Sequence, residues 1–208
     1  MDEDKALTGV FAGHWRLAFE RATASLAEAV TVSVNEPYDV VVTVDATINH
    51  YQAAKAAVGA LPVLHDGGTL IQIANSCDGI GATEYVEELA LLMSLPHYRN
   101  YIDLICRRSV VKKDQWEVEM WCKVLDKVGG PQGLIYCTTG IEPAALAKLP
   151  LTSGYAYTGE RDLEPMVQSA IQQTLTAWQT RLGRPPRVGV VLDGAHAVPA
   201  LVAEPLAV

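Results

Sequence analysis

At 208 residues, half of them hydrophobic and 19% charged, the chain can bury the core of one domain and is too apolar for a disordered segment. Its formal net charge of −8 excludes the basic surface that nucleic-acid binding requires. No apolar run reaches the roughly 18 residues of a membrane-spanning helix. The acidic start, Met1-Asp2-Glu3-Asp4-Lys5, lacks the basic flank and apolar core of a signal peptide, so a cytoplasmic location is expected.

From His14 to Ala29, Trp15, Leu17, Ala18, Ala22, Leu26 and Ala29 recur at helical spacing. Thr31 to Val34 is a short β-branched run, broken by Asn35-Glu36-Pro37. Tyr38 to Val44 is almost continuously β-branched, the pattern of a strand buried on both faces. Tyr51 to Leu61 is Ala-rich and helical, Asp66-Gly67-Gly68 reads as a turn, and Thr69 to Ala74 as a second buried strand. After the loop Ser76 to Gly81, Thr83 is placed to cap a helix carrying Tyr85, Val86, Leu89, Leu92 and Met93. Tyr98 to Cys106 and Lys112 to Val128 read as helices, the latter with Trp116, Met120, Val124 and Val128 on one face. Gly133 to Cys137 is a third strand and Glu142 to Leu149 a short helix. Asp162 to Leu182 is a long amphipathic helix stopped by Gly183, with Pro185 and Pro186 beyond. Arg187 to Leu192 is a last strand, ended by Asp193-Gly194.

Strands and helices alternate throughout, which predicts an α/β fold: a doubly wound three-layer domain with a mainly parallel sheet of about four or five strands. The expected organisation is one domain over 1–208, with a helical arm and first short strand over 1–35 and an apolar tail over 197–208 that packs on something outside the domain. Cys77, Cys106, Cys122 and Cys137 form no C-x-x-C pair and are expected to be reduced and mostly buried, with no zinc site.

The segment Asn49-His50-Tyr51-Gln52-Ala53-Ala54-Lys55 carries the strongest functional signal. It places an amide and an ammonium three residues apart on the first turns of a helix just past a strand end, where open α/β sheets bind ligands. Free N–H groups and the helix dipole at such an N-terminus favour an anion. The competing structural reading makes Asn49 the N-cap and Gln52 its partner in a capping box, with Lys55 a solvated lysine. Asn75-Ser76-Cys77-Asp78-Gly79-Ile80-Gly81 holds a G-x-G but has Glu84 where a dinucleotide fingerprint needs a third glycine, so it reads as a substrate-facing or interface loop. Of the histidines, His14, His65, His97 and His196 read as surface or satisfied residues, while His50, beside Tyr51 at the expected cleft, is a candidate site residue. The helical spacing of Trp15, Trp116, Trp121 and Trp178 makes core packing their default.

From Tyr38 to Gly81 the chain resembles the C-terminal domain of the nickel-pincer lactate racemases. The resemblance rests on a strand, a Y-Q-x-x-K helix start at Tyr51–Lys55, a glycine turn at Asp66–Gly68, a strand, and a D-G-x-G loop at Asp78–Gly81. A tryptophan in a D-Q-W context, Asp114-Gln115-Trp116, follows, and the order of elements agrees from about Ala12 to Val198. The family's G-G-Y-P-L-D-x-N segment is replaced by Val44-Asp45-Ala46-Thr47-Ile48-Asn49-His50, which keeps only the asparagine and leaves the substrate open.

The resemblance implies that Tyr51, Gln52 and Lys55 line the substrate side of an interdomain cleft. Gln52 and Lys55 would hold a 2-hydroxy acid, the lysine on its carboxylate, with Trp116 in the cleft wall. It also implies that the catalytic histidines and the nickel-pincer nucleotide belong to an N-terminal domain to which nothing in this sequence corresponds. The chain is therefore expected to be a fragment, split subunit or degenerate homologue, with no catalytic residue, metal or cofactor of its own and no racemase activity alone. Its expected partners are the 2-hydroxy-acid substrate and the N-terminal catalytic domain or subunit, with homo-oligomers also open. The alternatives are a stand-alone α/β module that binds a small carboxylate, and a non-catalytic structural or interaction domain.

Overall fold

The computed structural model describes residues 7–46, 48–192, 194 and 196–202. Helix α1 spans Trp15–Val30 and leads into strand β1, Thr31–Val34. Then follow β2 (Tyr38–Asp45), α2 (His50–Ala60), β3 (Leu64–Ala74), α3 (Thr83–Ser94), α4 (Arg99–Cys106), α5 (Gln115–Val128) and β4 (Leu134–Cys137). The chain ends with α6 (Pro143–Leu146), β5 (Thr152–Ser153), α7 (Leu163–Leu182), β6 (Val188–Val191) and β7 (Val198–Leu201).

Five strands form a parallel sheet in the order β5-β4-β3-β2-β6. Its faces are packed differently. On one, the alanines of α2 (Ala53, Ala54, Ala57 and Ala60) are fully buried and join Trp121, Val124 and Leu125 of α5 and Tyr85 and Leu89 of α3. On the other, Met166 and Ala170 of α7 pack on Val40, Val42, Ile71 and Ile135. The three-layer, doubly wound α/β arrangement expected from the sequence is thus what forms. Helix α7 starts at Asp162, whose side chain accepts from Glu164 N–H, and ends at Gly183, where φ of +66° gives the left-handed C-terminal stop.

Several local expectations are corrected. Asp66-Gly67-Gly68 lies inside β3, where the register against β2 slips between the pairs Tyr38–Leu64 and Val40–Thr69. The glycines accommodate a bulge and not a chain reversal. Residues 198–201 of the apolar tail pair in parallel with β1 as a separate two-stranded sheet, so that part packs within this chain; residues 203–208 lie outside the described residues. Thr83 is the first residue of α3 and not its cap, which is Ala82, without a side-chain bond. Helix α1 forms as expected, but it buries none of its residues, and Trp15, Leu17, Phe19 and Leu26 stand exposed. Two of the four cysteines, Cys77 and Cys106, are exposed and two are buried; all are free. No helix among the described residues is long and apolar enough to cross a membrane.

The chain runs outward from β2 to β5 and returns to β6 on the far side of β2, so the sheet's switch point lies between β2 and β6. That crevice is filled. Gly194 donates its N–H to the Val44 carbonyl, and a Cβ on Gly59 would meet the Gly194 carbonyl oxygen at 2.6 Å. Asp193, the other half of the D-G pair, and Thr47 are outside the described residues. Accessible polar groups gather one strand over, where α2 leaves β2 and faces the start of α5.

Candidate functional site

Helix α2 begins as the local sequence dictates. Asn49 is the N-cap, its Oδ1 accepting from Gln52 N–H at 3.0 Å, and its carbonyl accepts from Ala53 N–H at 3.2 Å. The remaining two first-turn donors are also taken: His50 N–H bonds the Gly79 carbonyl and Tyr51 N–H the Ile80 carbonyl, each at 3.0 Å. The loop at 76–81 therefore closes the helix N-terminus with its own carbonyls. This corrects the expectation of free N–H groups there, since those of His50, Tyr51 and Gln52 are all taken and none of the three is left for an anion. It also removes the phosphate-cradle geometry from the G-x-G loop, which presents oxygens at this point.

Only half of the capping box forms. The Gln52 side chain does not return to the Asn49 backbone; its Oε1 accepts from Lys55 Nζ at 2.5 Å. The amide thus holds the lysine head on the exposed side of the first turns. Lys55 Nζ lies 6.0 Å from the Trp116 ring centroid, a cation–π distance. Tyr51 meets Trp116 edge-on at 6.0 Å and Tyr85 edge-on at 5.2 Å. Gly81, at φ +139°, makes room for this stack: a Cβ there would lie 3.1 Å from both Tyr51 and Tyr85. Tyr51, Gln52, Lys55 and Trp116 are brought together by the fold.

Trp116 is 50% exposed, which corrects its default core placement; Trp15 is exposed too, whereas Trp121 is fully buried and Trp178 half-buried. The buried stripe of α5 runs through Glu117, Val118, Trp121, Val124, Leu125 and Val128. The expected stripe of 116, 120, 124 and 128 drifts off this face at its N-terminal end. Trp116 is held in place by the segment before it. Arg108 forks the Glu88 carboxylate at 2.8 and 3.1 Å, and Tyr101 donates to the same carboxylate at 2.7 Å. Gln115 Oε1 accepts from Lys112 N–H and from Arg108. Asp114 turns the chain into α5 at φ +63°.

His50 is placed beneath the site and not on its surface. It is fully buried, stacked on Trp121 at 4.4 Å, and its Nδ1 is 2.9 Å from the Tyr85 hydroxyl. Trp121 Nε1 donates to that hydroxyl at 2.7 Å. Indole N–H can only donate, so the arrangement with fewest unmet groups has Tyr85 donate to Nδ1 and the imidazole proton on Nε2, which has no partner. Burial drives the His50 pKa down to about 3, so the ring stays neutral. In this position it braces Tyr85, and through Tyr85 the Tyr51 ring.

Glu117 gave no functional signal at the sequence level. It is fully buried beside Trp116, and neither carboxyl oxygen has a hydrogen-bond partner. Burial pushes its pKa up to about 7, with Lys55 drawing it down and Asp114 pushing it further up. Burial, then Glu117 and Asp114, likewise raise the Tyr51 phenol. One signal could have revealed Glu117. It stands at the head of the apolar series Trp121, Val124, Val128, where a buried acid has no structural reason to be.

The fold and these side chains define a doubly wound α/β domain that presents one lysine ammonium beside the Trp116 ring at the carboxyl end of its sheet. A model of the lactate racemase C-terminal domain matches residues 30–196, and the chain belongs to that family. In solved structures it is similar to the lactate racemase apoprotein from Thermoanaerobacterium thermosaccharolyticum, with a TM-score of 0.72 and 19% sequence identity. That match covers 96% of this chain but 44% of the racemase, so this chain spans less than half of that protein's length. No curated protein matches it. Among the described residues no group of three or more His, Cys, Asp or Glu side chains could hold a metal. At the candidate site itself the side chains are one ammonium, one amide and aromatic rings, which supply charge pairing, hydrogen bonding and stacking.

Proposed function

We propose that this chain is the substrate-side domain of a lactate-racemase-like 2-hydroxy-acid racemase or epimerase. Lys55 pairs with the substrate carboxylate, Gln52 fixes the ammonium and offers its amide to the substrate, and Tyr51 and Trp116 wall the site. The observation that carries this reading is the 2.5 Å bond from Lys55 to Gln52, which holds a solvent-facing cation one helical turn from a capped helix end and against the Trp116 ring. The reacting carbon faces a second, catalytic domain, which would carry the nickel-pincer nucleotide; that domain belongs to this protein or to another chain. Support for a second body comes from α1, whose Trp15, Leu17, Phe19 and Leu26 are all exposed within a single 16-residue helix. The same helix weighs against a stand-alone carboxylate-binding module, which has no need of such a face.

Charge-assisted hydrogen bonds are worth about 1.5–3 kcal/mol, so Lys55→Ala should weaken L-lactate binding roughly 10- to 150-fold. Lys55 is exposed, so at about pH 5, where folded Glu117 is protonated, the variant's unfolding free energy should stay within about 0.5 kcal/mol of the parent. Titration calorimetry with sodium L-lactate on both proteins reads the first effect and urea unfolding the second. Equal affinities in the two proteins would remove Lys55 from the site. Racemisation of L-lactate by the purified chain would refute the division of labour.

A further inference from the structure

Glu117 is a buried acid for which the fold provides no partner. Its two oxygens are without hydrogen bonds, it has no exposed surface, and it lies at the N-terminal end of α5 next to the Trp116 wall. The groups that face it come from three elements. Helix α2 supplies Lys55 and Tyr51, and Asp114 stands just before α5. Helix α3 supplies Tyr85, whose hydroxyl is already bonded to Trp121 and His50. Other cations nearby are engaged elsewhere: Arg108 forks Glu88, and Lys113 lies between Glu84 and Asp114. Lys55 is thus the cation that favours an ionised Glu117, and Asp114 opposes it.

From this arrangement we infer that carboxylate binding at Lys55 is coupled to protonation of Glu117, which acts as a positioning residue setting the charge of the clamp. The inference rests on the binding role proposed above. A single ammonium cannot neutralise Glu117 and an incoming carboxylate together, with Asp114 also adjacent. When the solute takes the lysine, an ionised Glu117 is left buried with neither a charge partner nor a hydrogen bond, a state costly enough that the group takes up a proton instead. Binding therefore draws in one proton at a pH where free Glu117 is ionised, and affinity falls as pH rises through its titration. A half-titration at about 7 places this in the neutral range.

Titration calorimetry with sodium L-lactate at about pH 6 and pH 8 tests the coupling. The wild-type Kd should rise up to about tenfold between the two, with up to one proton taken up at the higher pH when buffers of different ionisation enthalpy are compared. Glu117→Gln, which keeps the shape and cannot ionise, should bind with one Kd at both. A wild-type Kd independent of pH, or a Glu117→Gln protein with the parental dependence, overturns the coupling and leaves the binding role standing. Absence of lactate binding at both pH values overturns the binding role and the coupling with it. Carboxyl-carbon NMR of the wild-type protein follows Glu117 directly: saturating lactate should move its neutral-range titration to higher pH, and an unmoved titration refutes the inference.

Discussion

Between pH 6.5 and about pH 4 the folded chain should lose about 3 kcal/mol of stability to one imidazole. Unfolded, His50 takes a proton as pH falls below 6.5; folded, it stays neutral down to about 3 because it is sealed between Trp121, Tyr85 and Tyr136. A group whose pKa is lowered by folding stabilises the fold fully above its unfolded pKa and loses that stabilisation as pH falls through the folded one. The slope approaches 1.4 kcal/mol per pH unit for one proton. Carboxylates also titrate on the acid side, so the effect is read as a difference from a variant. His50→Phe keeps a flat ring against Trp121 and removes the titration. It also removes the acceptor of the Tyr85 hydroxyl, at a cost of about 1 kcal/mol near neutrality. Urea unfolding at about pH 7 and pH 4 should therefore show the variant less stable at the first and more stable at the second. Parallel curves would mean that His50 is hydrated or charged in the fold.

The sequence carried the site's skeleton because that part is local. Asn49 announces a helix start, and the Y-Q-x-x-K spacing alone sets Gln52 and Lys55 on neighbouring turns, where they bond each other. The nearly continuous β-branched run at β2 marks a strand buried on both faces, and Gly183 stops α7 by backbone conformation alone. What was missed depends on distant partners. The carbonyls of Gly79 and Ile80 cap α2 from across the sheet end, and no pattern within residues 49–55 encodes that. Exposure of Trp116 follows from the phase of α5, and a stripe built from steps of four drifts by about 40° per turn against a helix of 3.6 residues per turn. The bulge at Asp66–Gly68 has the composition of a turn, and only its pairing with Tyr38 distinguishes the two. Glu117 stayed hidden because an acid near a helix N-terminus is ordinarily explained by the dipole. Burial is what makes it exceptional.

Glu117→Gln should stabilise the chain by about 3 kcal/mol at about pH 8 and leave it unchanged at about pH 4, a rise in Tm on the order of 5–10 °C at the higher pH for a domain of this size. The sign is opposite to that of His50. Folding raises the Glu117 pKa from 4.5 to about 7, so the folded chain retains a proton that the unfolded chain has released. Stability is greatest below 4.5, is lost as pH rises towards 7, and stays lost above it. Glutamine retains the buried polar head without the charge, so only the ionisation cost is removed. Between 4.5 and 6.5 the two linkages oppose each other at nearly equal slope: His50 weakens the fold as pH falls and Glu117 weakens it as pH rises. Leaving other groups aside, the wild-type protein should be almost flat across that interval. Each single variant should uncover the slope of the residue that remains, falling towards acid in Glu117→Gln and towards neutrality in His50→Phe. An acid kept where it costs stability at neutral pH, directly under the Lys55–Trp116 wall, is what a site whose charge must change on binding requires. If the glutamine variant proves no more stable at about pH 8, Glu117 is solvated in the folded chain, and its place in the clamp falls with that result.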